Sequence, residues 1–209
     1  MANANRPSGL SPVNDRVSAA YNGQANIYWI PAADTNAYAV GDPVGSIQNA
    51  DTNGVPGITL ASAGTGNPIR GVIVGLGTAN TGGFQLNPEG GLFNVNNLNQ
   101  IIRPSGAQAT DYYVMVVDDP NVVFEVQEVG TGTAFTATTS VGLNANLVAG
   151  ANNGYYSGWQ LSNVGAAVTA TLQVRILGLA RRQDNAYGPF AKWLVKINNH
   201  ELSAGTAGV

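Results

Sequence analysis

Apolar and polar positions along this chain alternate with a period of two, which is the signature of half-buried β-strands. From Gln24 to Ile30, Ala25, Ile27 and Trp29 fall on one face and Asn26 and Tyr28 on the other. A second strand is predicted from Ala37 to Val44, ended by Gly41-Asp42-Pro43, and a short third from Ile58 to Ala61 after the turn Asp51-Thr52-Asn53-Gly54. Arg70 to Leu76 is β-branched and apolar, and Gly71 and Gly75 inside it suggest bulges or close backbone packing. Tyr112 to Val117 is a continuous apolar run. It is followed by the turn Asp118-Asp119-Pro120-Asn121 and by a return strand with Val122, Phe124 and Val126 inward. This pair predicts a hairpin. A second hairpin joins Thr171–Leu179, with Leu172, Val174 and Ile176 inward, to Lys192–Ile197, with Trp193, Val195 and Ile197 inward. No segment sustains a 3.6-residue period, so little helix is expected.

Two stretches, 77–100 and 130–165, are rich in Gly, Asn and Thr and predict long loops, which in a compact domain make contacts or carry function. Residues 1–23 form an extended arm, punctuated by Pro7, Gly9 and Pro12. That arm carries Arg6 and Arg16 and two apolar anchors, Leu10 and Val13, and is expected to order on a neighbouring subunit. Residues 24–209 form a single β domain. The fold class is therefore all-β, a sandwich or jelly-roll-like barrel with an N-terminal arm and long Gly/Asn-rich loops.

Charge is sparse. Only 10% of the 209 residues are charged, against about 25% in an ordinary soluble domain. Solubility then falls to Asn, Thr, Ser and Gln, or much of the surface is covered by partners. The net charge of −3 argues against nucleic-acid binding, which shows as a basic patch or stripe. Arg181-Arg182, followed by Asp184, is a solvated turn. No apolar h-region opens the chain and no run approaches the length of a membrane span, so neither export by a signal peptide nor membrane insertion is expected.

Candidate chemistry is thin. There is no cysteine and one histidine, which removes disulfides, thiol nucleophiles and the usual zinc sites. His200 lacks a nucleophile-elbow partner and is expected to satisfy a surface or interface hydrogen bond. Asp118-Asp119 is better explained as a proline turn than as paired carboxylates or calcium ligands. Gly64-Thr65-Gly66-Asn67-Pro68 and Gly75-Leu76-Gly77 match no phosphate-loop pattern. No cofactor is implied and no enzyme is expected. The loop Asn152-Asn153-Gly154-Tyr155-Tyr156-Ser157-Gly158-Trp159 holds Tyr155, Tyr156 and Trp159 together. Those rings either pack over the core, anchor a protein interface, or stack on sugars.

Four segments carry a family likeness: ANRPSGLSPV, GQANIYWIPAADTNAYAVGDPV, YYVMVVDDPNVVFEVQEVGTGT and DNAYGPFAKWLVKINNHELSAGTAGV. With these the chain resembles virion structural proteins of tailed bacteriophages, of the capsid decoration or cement kind. The resemblance implies a β-sandwich or jelly-roll protein, assembled in the host cytoplasm and placed on the capsid exterior. It implies a homodimer or homotrimer that clamps the major capsid protein. Deleting residues 1–20 is then expected to weaken head binding and leave the β-sheet spectrum intact. A carbohydrate-binding adhesin or fibre-type module using Tyr155, Tyr156 and Trp159 is the alternative.

Overall fold

A computed structural model of the chain describes residues 3–15, 19–78, 101–205 and 207–208. Among them the fold is all-β, without helices, as the two-residue period requires. The elements are β1 (Ser11–Asp15), β2 (Ala19–Ala20), β3 (Asn26–Ile30), β4 (Tyr38–Ala39) and β5 (Pro43–Ala50). Next come β6 (Pro56–Leu60), β7 (Gly71–Thr78), β8 (Ile102–Arg103), β9 (Tyr112–Val117) and β10 (Val122–Gln127). The last are β11 (Asn144–Ala145), β12 (Leu147–Val148), β13 (Gln160–Leu161), β14 (Val174–Leu179) and β15 (Lys192–Ile197).

Two main assemblies result. Strands β3-β6-β5-β7-β9 close into a barrel, and β11-β14-β15-β10-β1-β2 form an antiparallel sheet, with β4-β8 and β12-β13 as small pairs. A barrel interior is filled by Ile30, Val44, Ile58, Ile73 and Val114. A second core lies where the barrel wall meets the sheet, and it includes Val72, Val117, Phe124, Trp193 and Val195. Alternation sends Val116 into the barrel and its neighbour Val117 into the second core. Both faces of β9 are therefore covered, which is why its apolar run is unbroken.

The hairpin between β14 and β15 forms as its alternation predicts, with Val174 opposite Ile197 and Ile176 opposite Val195. The predicted pairing of β9 with β10 does not form. β9 pairs with β3 and β7, whereas β10 pairs with β1 and β15. The turn itself is as expected: Val122 N donates to Asp119 O across Pro120, and Asn121 N donates to Asp119 Oδ1. It is a corner between two sheets, because a proline turn reverses the chain locally without choosing the ladder that receives it.

Three smaller differences have similar causes. Gly41-Asp42-Pro43 does not end a strand; it turns the chain from β4 into β5, which starts at Pro43. In β3 the inward face is Tyr28 and Ile30, while Trp29 lies on the outer side with Val55 and Tyr113. The long loop at 130–165 is interrupted by β11, β12 and β13. In β7 the ladder shifts between Ile73 and Gly75, as a glycine bulge should. Gly71 is a close approach, since a Cβ there would lie 2.4 Å from Val117 O. Of the predicted loop 77–100, Gly77 and Thr78 continue β7, and residues 79–100 lie outside the described residues.

Candidate binding surface

Residues 3–15 lie along the chain's own surface, where the sequence leads one to expect an extended arm ordered on a neighbouring subunit. Asn3 Nδ2 donates to the carbonyls of Ala186 and Pro189, and Gln127 takes a bond from Arg6 N and gives one to Ala4 O. Leu10, expected as an anchor for a neighbour, is 1% exposed and part of the core between barrel and sheet. Its backbone N donates to Gly41 O. The reason is geometric: the edge of β10 needs a partner strand, and β1, with Pro12 and half-buried Val13, supplies it. Arg6 is exposed and Pro7 half-buried; Arg16 lies outside the described residues. Leu10→Ala is expected to cost about 3 kcal/mol of stability in urea unfolding. Deleting residues 1–20 removes the same core side chain and a paired strand, so loss of fold rather than of docking alone is the expected result.

The aromatic loop divides its rings. Trp159 is 2% exposed and sits in the core, so it is no binding residue. Tyr155 and Tyr156 are 62% and 52% exposed. Their display is built from below. Asn153 Oδ1 accepts from the backbone N of both tyrosines, Asn152 Oδ1 accepts from Gly154 N, and Gly154 takes a φ of +89° that a side chain would disfavour. Ser157 N then donates to Val40 O, and Trp159 N donates to Ser157 Oγ. Under the loop, the Asp42 carboxylate accepts from Ala39 N at 2.7 Å and from the Ser157 side chain. Burial pushes the Asp42 carboxyl up to about 6, against the downward pull of those bonds.

The two acids of the proline turn separate. Asp119 caps its own turn. Asp118 is buried and accepts from Tyr28 Oη at 2.5 Å and Asn26 Nδ2 at 2.8 Å, with Arg70 Nη2 at 3.4 Å. Arg70 Nε also donates to Tyr28 Oη at 2.8 Å. Burial, and then the bond to Asp118, push the Tyr28 phenol up to about 12. Such a tyrosine holds its proton, and the cluster fastens the corner of β9 and β10 onto the barrel. His200, expected to satisfy a surface or interface hydrogen bond, is buried within the chain; its Nδ1 accepts from Leu202 N at 3.0 Å. Burial first, and the Arg70 charge second, lower its pKa and keep it neutral. Among the described residues no group of three or more His, Asp or Glu is placed to hold a metal ion.

Sequence reasoning missed the role of Asp42 as the support of the loop, since nothing marks a turn aspartate as buried. No family model, no curated protein and no solved structure matches the chain.

Proposed function

We propose that this chain is a non-catalytic structural virion protein that binds the exterior of a tailed-phage capsid lattice and stabilises it. The observation that supports this reading most directly is the Tyr155–Tyr156 loop, in which two rings are held out to solvent by a preorganised backbone. Exposed tyrosines on a rigid loop give contact area at low entropic cost. Sparse charge suits a surface covered by neighbours. On a lattice, many weak copies add through avidity, so each contact needs only modest affinity. The partners in this reading are the major capsid protein and other copies of the chain, as a dimer or trimer.

The test is co-sedimentation with purified phage heads. Tyr155→Ser with Tyr156→Ser is expected to leave stability within about 0.5 kcal/mol and to weaken head binding at least tenfold, roughly the scale of a lost hot spot. Unchanged binding by a folded double variant would remove the loop from the interface. Paired exposed tyrosines also suit sugar stacking. A glycan array answered by the wild type and lost in the same variant would favour the carbohydrate-binding alternative.

A further inference from the structure

The few cations of this chain are unevenly placed. Five of the nine Lys and Arg residues (Arg175, Arg181, Arg182, Lys192 and Lys196) lie within the β14–β15 hairpin. Since Trp193, Val195 and Ile197 are core residues, alternation turns Lys192, Leu194 and Lys196 to the opposite face of the sheet. The register puts Arg175 directly opposite Lys196. Like charges facing each other across a ladder are destabilising. No carboxylate lies within ion-pairing distance of Lys196 among the described residues; its Nζ donates to Asn121 Oδ1 at 3.2 Å. Glu125, opposite Leu194 on this face, is already engaged by Arg182 at 3.0 Å and by Lys192 at 3.7 Å.

The face is not purely basic. Leu194 stands between the two lysines, and Leu177, at the bulge of β14, is 41% exposed. At one end a cleft of about 300 Å³ opens, lined by Arg6, Lys192 and Phe190 and also by Asp184, whose carboxylate is paired with Arg182 at 3.2 Å. Phe190 has a φ of +62°, the one positive value outside glycine among the described residues. Its ring lies against Gly130, where an added Cβ would come within 2.0 Å of Cζ. A strained backbone at the rim of a cleft is held there by its surroundings.

We propose that this sheet face binds an acidic polypeptide segment, whose carboxylates meet Lys196, Lys192 and Arg6 while its apolar side chains cover Leu194 and Leu177. Interleaved leucines favour a polypeptide, whose apolar side chains can cover them, over a nucleic acid backbone. The inference deepens the capsid reading, on which it rests for the identity of the partner, by assigning the docking face and the chemistry it recognises.

The probes are a labelled oligoglutamate peptide, an oligolysine peptide and a short DNA duplex, followed by fluorescence anisotropy at low ionic strength. Binding to oligoglutamate is expected, falling with added salt and weakened about tenfold by Lys192→Gln with Lys196→Gln. Thermal unfolding of the double variant should match the wild type. Absent oligoglutamate binding, equal binding by the double variant, or preference for the duplex would each overturn the proposal. Co-sedimentation with heads separates the two ideas. Heads that retain wild type and double variant alike overturn the docking face and leave the capsid reading standing. Heads that retain neither, with lysine-dependent oligoglutamate binding intact, uphold the face and remove the capsid.

Discussion

Arg103→Met is expected to lower the unfolding free energy by about 4 kcal/mol, through carbonyls and a hydrogen-bond hub left without a donor. Arg103 is fully buried in β8, beside Tyr38 of β4. It has no carboxylate partner among the described residues. Its charge is met instead by backbone oxygens: Nη1 donates to Asn36 O at 2.6 Å, and Nη2 to Asp34 O at 2.5 Å and Ala32 O at 3.3 Å. The guanidinium carbon also lies 5.7 Å from the Tyr38 ring centre and 5.4 Å from that of Tyr112. The loop 31–36 is thus wound around one side chain. Methionine fills the volume and donates nothing, so several carbonyls either stay unpaired or drag the loop into water.

Arg103→Lys should recover less than half of the loss. An ammonium group is a compact charge with three donors and cannot span a fan of carbonyls as the planar guanidinium does. Urea unfolding followed by tryptophan fluorescence measures both variants. A shift in midpoint at constant slope is the expected form. A loss below about 1 kcal/mol in the methionine variant would mean that the carbonyls are hydrated without cost, against the usual penalty.

Arg103 also shows where sequence reading stops. An arginine between Ile101-Ile102 and Pro104 carries no mark of its partners; only the fold brings five carbonyl groups and two rings to it. By contrast β14 and β15 were legible, because each has one wet and one dry face and the period of two marks both. β9 was legible as a strand but not in its pairing, since a run buried on two faces says nothing about which neighbour it joins. Asp119-Pro120 marks a turn in the sequence but does not say whether the strands it joins pair with each other, and here they do not. In the aromatic loop, composition put Tyr155, Tyr156 and Trp159 together. Gly158, where an added Cβ would lie 2.0 Å from Ala151 O, brings the backbone close enough to drive Trp159 inward. Leu10 followed the same logic: prolines announced an extended segment, and extended segments pair with an open edge of their own sheet before they reach for another chain.

Glu128→Gln is expected to leave stability unchanged near pH 4.5 and to raise it by about 3 kcal/mol near pH 8. The Glu128 side chain is fully buried where β10 ends; Oε2 accepts from Trp193 Nε1 at 2.6 Å, and Oε1 has no hydrogen-bond partner. No cation is paired with it among the described residues. Burial therefore pushes the carboxyl up to about 7, with the Trp193 bond pulling the other way. The folded chain keeps this proton up to about pH 7, while the unfolded chain releases it near its ordinary value of 4.5. Between those limits the folded state binds the extra proton, so stability falls as pH rises through the window and is level above it. Glutamine is uncharged throughout and removes the slope. Asp42, raised to about 6 by burial, titrates in the same direction, but it is present in both proteins and cancels in their difference. Urea unfolding of the two proteins at both pH values decides the matter, and an equal gap at the two would sink the assignment. The consequence reaches the binding loop. Glu128 bridges to Leu161 and receives Gln160 Nε2 on its carbonyl at 3.3 Å, just beyond Trp159. Above about pH 7 the ionised carboxyl is expected to weaken this attachment, so the glutamine variant should hold the Tyr155–Tyr156 platform more firmly there.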